Sequence, residues 1–147
     1  LKNDAKKIFA IDVGYGQFDW RLRNSKNIIL LERTNAKFVN SEIITELVDL
    51  VVCDVSFISL KKVILPFKNL LKDKFEIVAL IKPQFEASRQ LVGKKGIIRD
   101  EKIHSSICRN INSWFVENFS PSFVKIIDSP IFGQKGNKEF LIYIKKG

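Results

Sequence analysis

Residues 49–60 read DLVVCDVSFISL, and the interpretation of the whole chain starts from them. The apolar run Val51, Val52 and Cys53 is typical of a strand that is buried on both faces of a parallel sheet, and it ends at Asp54. In open α/β sheets, ligands bind in the crevice outside the carboxyl ends of the strands. We therefore expect Asp54 to lie at the edge of the sheet where ligands bind, so that its carboxylate can act on a ligand.

A second apolar run, residues 77–81, ends at Lys82 and Pro83. A proline biases the residue before it towards an extended backbone, so the strand is expected to continue up to the lysine. Two buried strands would then bring a carboxylate and an ammonium group to one edge of the sheet.

The rest of the chain alternates between strand and helix patterns, which predicts an α/β fold with a mostly parallel sheet. Further strands are predicted at residues 7–12, 28–31, 123–127 and 140–144. Helices are predicted at residues 18–24 (a short helix or turn), 43–48, 56–71 with a break at Pro66, and 101–117. Because no helix separates the last two strands, the last strand is expected to run antiparallel.

The composition indicates one domain, residues 1–147, with a basic surface. The 25 Lys and Arg against 16 Asp and Glu give a formal charge of +9, which favours a polyanionic partner such as RNA or DNA. No apolar run approaches the roughly 18 residues that a membrane span requires, and no signal-peptide pattern is present. Cys53 and Cys108 are too few and too far apart for a zinc site or a disulfide framework, so we expect reduced thiols in a cytoplasmic protein.

Two other predicted strands also end at polar side chains. Asp12 precedes a Gly-rich turn, where a carboxylate either accepts hydrogen bonds from a nucleotide ribose or caps the amides of the turn itself. Gly14 and Gly16 do not predict a phosphate loop, because Asp19 stands where a dinucleotide fingerprint has its third glycine. Asn35 stands just past the end of the next strand.

The lysine at the second strand end is followed by a long segment without periodicity, residues 84–100. It contains Gly93 and Gly96 around two lysines, and it predicts either a functional cover or a solvated basic loop. The single histidine, His104, has no companion ligand at metal-binding spacing and is interpreted as a surface residue of the following helix.

Six segments resemble, in family order, the hemolysin A (TlyA) family of bacterial RNA methyltransferases with an FtsJ-like domain. They read AIDVGYGQFDWRLRN, LERTNAK, VVCDVSFISL, LIKPQFE, VGKKGIIRD and SPIFGQKGNKEFL. The resemblance implies a class I, Rossmann-like methyltransferase fold with S-adenosyl-L-methionine as cofactor. It also implies methyl transfer to a ribose 2′-hydroxyl of ribosomal RNA, free or within a ribosomal subunit. The hemolysin label has no support from the residues, since neither a spanning segment nor a membrane helix is evident.

The resemblance also implies which residues act. FtsJ-like enzymes use a Lys-Asp-Lys-Glu set, and Asp54, Lys82 and Glu139 match its last three members. Lys82 is expected to accept the proton of the ribose hydroxyl, with the two carboxylates orienting the ammonium group and the hydroxyl.

The same motifs imply a cofactor site. Asp12 matches the family's acid at the cofactor ribose, and Asn35 with Ala36 matches the residues at the adenine edge.

Parts of the family pattern have no match in the sequence. The first catalytic lysine, the first strand with its Gly-rich cofactor loop, and a small RNA-binding module would all precede Leu1, and the absence of Met agrees with this. We therefore expect a methyltransferase domain that is incomplete at its amino terminus and inactive as it stands. A non-catalytic RNA-binding remnant of the family is the alternative, and a nucleotide-dependent oxidoreductase is disfavoured by the broken glycine fingerprint. In a plain α/β domain any one of these residues could have an ordinary structural role. That reading explains less well why all of them fall beside predicted strand ends.

Overall fold

The computed structural model describes residues 1–147, except for the side chain of Lys94. The strands are β1 (Ile8–Ile11), β2 (Ile28–Leu31), β3 (Val48–Cys53), β4 (Leu71–Ile81), β5 (Phe123–Asp128) and β6 (Phe140–Lys146). The α-helices are α1 (Trp20–Arg23), α2 (Leu60–Ile64), α3 (Pro83–Glu86) and α4 (Glu101–Phe119). Short 3-10 turns lie at Ala36–Phe38, Leu65–Asn69, Lys94–Gly96 and Gln134–Gly136.

The strands form two sheets. β1 and β2 pair in parallel, and the second sheet has the order β3-β4-β6-β5. In the second sheet β3 is parallel to β4, and β6 is antiparallel to both of its neighbours, so only the last strand is reversed. The predicted α/β fold with an antiparallel last strand is confirmed. Residues of β1, an edge strand of the first sheet, and of β3, an edge strand of the second, line a groove of about 820 Å³.

The hydrophobic core lies on one face of the four-stranded sheet, where α2 and α4 contribute buried side chains. Ile64, Phe115 and Ile144 are fully buried there. On β3, Leu50 and Val52 point to the opposite face and are 50% and 73% exposed. Side chains along β3 therefore alternate between a buried face, which packs on the core, and a second face, which is exposed to solvent.

Several element boundaries follow from local chemistry. α2 gives way to a 3-10 turn at Leu65–Asn69, as expected near Pro66, because proline has no N–H to continue the helix. α4 begins after Asp100, whose side chain accepts the Lys102 N–H at 2.7 Å. It ends at Ser120, which has the left-handed φ of 45°.

The predicted helix over residues 43–48 is wrong. The chain makes a turn there and then enters β3. The Asn40 side chain accepts hydrogen bonds from the Glu42 and Ile43 N–H groups, at 3.0 and 3.1 Å, as a helix cap does. Only one turn forms, because the chain enters β3 at Val48, whose N–H donates to the Leu70 carbonyl at 2.9 Å.

Two other expectations are also wrong. β4 begins at Leu71, six residues before the predicted start. Leu71 and Glu76 pair with β3, and Phe75 and Glu76 pair with β6, but the polar residues 72–74 between them interrupt the apolar run on which the prediction depended. His104 is 5% exposed, so it is buried and not on the surface of α4. Its ring packs against Phe140 of β6 at 5.6 Å between centroids, a contact that helical spacing alone does not reveal.

Candidate functional site

Asp54 and Lys82 meet at the carboxyl edge of the four-stranded sheet. Asp54 directly follows β3 and Lys82 directly follows β4, and these strands are parallel neighbours. Lys82 Nζ lies 2.6 Å from Asp54 Oδ1 and donates a hydrogen bond to Ser56 Oγ at 3.1 Å. The lysine side chain is 13% exposed and the aspartate side chain 63%. The ammonium group is thus largely withdrawn from solvent while its carboxylate partner stays accessible.

Glu139 reaches the same edge from β6. Ile81 of β4 pairs with Phe140 of β6, so the register places the adjoining residues, Lys82 and Glu139, opposite each other. Glu139 is 6% exposed. Among the residues whose side chains the structure describes, no ion pair joins its carboxylate to the lysine. The structure therefore brings all three predicted catalytic residues to one edge, with a buried carboxylate on the β6 side.

Gly133 makes room for this buried carboxylate. A Cβ atom at residue 133 would lie 2.5 Å from Glu139 Cδ and closer still to Oε1. The backbone of Gly133 has a φ of −73°, which any residue adopts. Glycine is therefore needed here because it has no side chain, and not because of its conformational freedom. Sequence reasoning missed this role, because a glycine in a loop ordinarily indicates only a turn.

Glu86 fixes the segment after Lys82 to the start of α2. Its Oε2 accepts the Ser59 hydroxyl at 2.7 Å, and its Oε1 accepts the Leu60 N–H at 2.6 Å. A carboxylate at a helix N-terminus satisfies amides that have no partner within the helix. The segments that carry Ser56 and Lys82 are thereby held together. The pairing joins residues 26 and 27 positions apart, so the sequence gives no local signal for it.

The predicted cofactor residues lie at the carboxyl ends of β1 and β2. Asp12 Oδ1 accepts the Gly14 N–H at 2.7 Å, and Asn35 Oδ1 accepts the Lys37 N–H at 3.2 Å. Both side chains therefore cap local turns. Ala36 is half-buried and lines the groove between the two sheets. The structure brings these three residues to one region, and their role towards a cofactor stays a prediction.

An ion pair organises the Gly-rich turn that follows β1. The Arg23 guanidinium donates to both carboxylate oxygens of Glu32, at 2.8 and 2.6 Å, and Glu32 also accepts the Gly16 N–H at 2.7 Å. These hydrogen bonds, the one from Arg23 first, lower the pKa of the Glu32 carboxyl. The turn beside Asp12 is thus held to the end of β2.

In the part of the chain that the structure describes, no helix combines the length and the apolar character needed to cross a membrane. Within the same residues, no three side chains of the metal-binding types form a group that could hold an ion.

Comparisons with known proteins agree with the fold and with the motifs. Hemolysin A of Brachyspira hyodysenteriae is 43% identical over 145 residues, which are 97% of this chain and 60% of the relative. The 16S/23S rRNA (cytidine-2′-O)-methyltransferase TlyA of Mycobacterium tuberculosis is 36% identical over 149 residues, covering 99% of this chain and 54% of the relative. The chain thus spans little more than half the length of these curated relatives.

A solved structure is similar over the whole fold. The structure named "Putative hemolysin from Streptococcus thermophilus" superposes with a TM-score of 0.89 at 35% identity, covering 99% of this chain and 52% of that one. The family model described as FtsJ-like methyltransferase matches residues 1–146. The chain therefore belongs to the FtsJ-like methyltransferase family.

Proposed function

We propose that this chain forms most of a domain, residues 1–147, that transfers a methyl group from S-adenosyl-L-methionine to a ribose 2′-hydroxyl of ribosomal RNA. The observation that carries the proposal is the convergence of Asp54, Lys82 and Glu139 on one sheet edge. The names of the relatives, one of them a 16S/23S rRNA (cytidine-2′-O)-methyltransferase, support the choice of substrate. With such a substrate the protein would work in the cytoplasm, where ribosomes are modified.

In this proposal Lys82 receives the proton of the ribose hydroxyl. A ribose hydroxyl is a poor nucleophile, and a positioned base contributes typically 10²–10⁴-fold to such a step. The bond from the ribose oxygen to the methyl carbon forms as the methyl–sulfur bond breaks, and the hydroxyl proton moves to the lone pair of Lys82 Nζ. Lys82 must therefore enter this step as the neutral amine, after its ammonium group has released one proton to solvent. Asp54 and Ser56 hold that nitrogen in place through their contacts at 2.6 and 3.1 Å. Glu139 would orient the hydroxyl from the β6 side.

The residues at the ends of β1 and β2 fit the proposed cofactor. S-adenosyl-L-methionine supplies an already activated methyl group, so the protein's task is alignment. Asp12 commits Oδ1 to the Gly14 N–H, while Oδ2 has no hydrogen-bond partner among the residues described, so it is free to accept from a ribose hydroxyl. Asn35 and Ala36 would flank the adenine, with Ala36 as part of an apolar groove wall.

We further propose that a strand from outside residues 1–147 completes the domain. Ile8 and Asp12 donate their N–H groups to β2, at 2.8 and 3.0 Å, so the alternate residues Phe9 and Ile11 turn theirs towards the groove. Unpaired strand edges of this kind favour pairing with a further strand. The relatives, of which this chain covers 60% and 54%, have further chain to supply it.

The test is a calorimetric titration of S-adenosyl-L-methionine into this chain and into the full-length protein that contains it, followed by a methyl-transfer assay on ribosomal RNA. Cofactor binding and transfer by the full-length protein, with neither by residues 1–147 alone, is the expected result. Transfer to a 2′-deoxy substrate at the same rate would contradict the proposed acceptor.

The open groove favours one alternative, a non-catalytic RNA-binding protein of the same family. Asp12 and Asn35 both serve local turns, as they would without a cofactor. RNA binding by the full-length protein, with no cofactor binding, would establish this alternative and exclude the methyltransferase.

A further inference from the structure

Two loops, residues 93–97 and 133–137, share one backbone conformation, and we call them the paired basic loops. In each, the N–H of the first glycine donates to the carbonyl four residues later, at 3.2 Å in the first loop and 2.8 Å in the second. In each, the glycine at the fourth position donates to the carbonyl of the first, at 3.1 Å. The third position of each loop, a lysine, and the fourth, a glycine, both have positive φ.

A buried side chain joins the two loops into one surface. Asn137 is 4% exposed, and its Oδ1 accepts the Ile98 N–H at 3.2 Å while its Nδ2 donates to the Gly96 carbonyl at 3.0 Å. Lys135 Nζ also donates to the Lys95 carbonyl at 3.4 Å. The loops are therefore fixed relative to each other, although about 40 residues of chain separate them.

Lysines occupy the strained third position of both loops. Lys95 has a φ of 70° and Lys135 a φ of 60°, in the left-handed region that glycine and asparagine populate far more readily. Such strain persists only where the surroundings impose it, and it clusters at functional sites. Both lysine side chains are exposed, so burial does not explain them. The twin strained positions instead present two cationic side chains on one rigid surface.

Within the paired basic loops the charge is of one sign. Residues 93–97 and 133–137 together contain three lysines, at positions 94, 95 and 135, and no Asp or Glu. Lys138 is paired with Asp128 at 2.9 Å. Exposed ammonium groups such as those of Lys95 and Lys135 bind phosphates through charge, without reading base sequence.

The paired basic loops border the proposed catalytic edge. The second loop begins at Gly133, and the Glu139 carboxylate occupies the place that a side chain at residue 133 would take. Glu139 itself follows two residues after the loop ends. We propose that these loops bind the ribose-phosphate backbone of the RNA strand whose 2′-hydroxyl enters the site. The inference rests on the proposed function, because it assigns a surface to that reaction's substrate.

The test compares two double variants that each remove two positive charges. Lys95→Asn with Lys135→Asn keeps a residue that tolerates positive φ. Lys145→Gln with Lys146→Gln is the control, since both lysines are exposed and lie at the opposite end of β6. Binding of a fluorescein-labelled single-stranded RNA oligonucleotide is followed by anisotropy over a range of salt concentrations, using the full-length protein.

Removal of two phosphate contacts should lower the slope of log affinity against log salt by about 1.4, at about 0.7 per contact for single strands. We expect this loss in the loop variant, with an unchanged melting temperature and unchanged cofactor affinity, and a smaller one in the control. A loop variant that binds RNA as tightly as the control, or a parent protein that does not bind RNA, overturns the inference.

The two proposals fail differently. RNA binding that depends on the paired basic loops, in a protein that never transfers a methyl group, leaves the surface standing and refutes the proposed function. Methyl transfer by a protein whose RNA affinity does not change when Lys95 and Lys135 are replaced supports the proposed function and refutes the role of the loops.

Discussion

Replacing Gly133 with alanine should damage the site while leaving most of the fold intact. The new Cβ would lie 2.5 Å from Glu139 Cδ, whereas ordinary contact begins at 3.4 Å, so the carboxyl group must retreat by about 0.9 Å or more. Misplacement of a reacting group by about 1 Å can cost roughly 100-fold in rate. Overpacking at a buried position costs about 1–3 kcal/mol of the free energy of unfolding.

The matched control is Gly136→Ala, in the same loop. No atom lies within 4 Å of a Cβ at residue 136, but its φ of +78° strains any side chain there. This strain costs about 1–2 kcal/mol, similar to the cost at Gly133, without any push on Glu139. The two variants should therefore lose similar stability and differ in methyl transfer.

The assay measures urea unfolding, cofactor affinity and methyl transfer to ribosomal RNA for both variants. Both glycines lie in the second of the paired basic loops, so transfer is compared at saturating RNA. We expect transfer to fall about 100-fold in Gly133→Ala only, with cofactor affinity unchanged. Glu139→Asp shortens the side chain that the new Cβ displaces. The double variant of Gly133→Ala with Glu139→Asp should therefore lose less methyl transfer than the sum of the losses in the two single variants, expressed as free energies. Equal transfer rates in Gly133→Ala and Gly136→Ala would refute the role given to Glu139.

Three further predictions follow from particular contacts. Asp12→Asn should keep the Gly14 cap and weaken cofactor binding about tenfold, or 1.4 kcal/mol, in calorimetry. Glu86→Gln should lower the free energy of unfolding by about 0.5–2 kcal/mol, with exposed Glu42→Gln as an almost neutral control in urea unfolding. Burial raises the pKa of the Cys53 thiol to about 12, so the native state keeps a proton that the unfolded chain releases near pH 8.5. Stability should therefore fall between about pH 8.5 and 12 in urea titrations, and Cys53→Ala should flatten this fall.

The meeting of Asp54 and Lys82 could be predicted from the sequence, because it depends on a general rule. Apolar runs mark buried strands, parallel strands end at one edge, and the residues that follow them become neighbours. Glu139 needed the family motif, since its position depends on the register between β4 and β6. Local periodicity does not fix that register.

The errors come from contacts that local patterns do not contain. His104 is buried because Phe140, 36 residues later, packs against its ring. The expected helix after Asn40 is reduced to a turn because β3 already begins at Val48, which pairs with Leu71 of β4. The pairing of Asn137 with the loop before α4 spans 41 residues and was likewise not predictable.

If Lys82 removes the ribose proton, Lys82→Ala should abolish most of the methyl transfer. The measurement is methyl transfer from labelled S-adenosyl-L-methionine to ribosomal RNA by the full-length protein, with exposed Lys62→Ala as the control. A loss of about 10²–10⁴-fold in Lys82→Ala, with cofactor affinity retained and Lys62→Ala unaffected, is the predicted result. Undiminished transfer by Lys82→Ala would contradict the account.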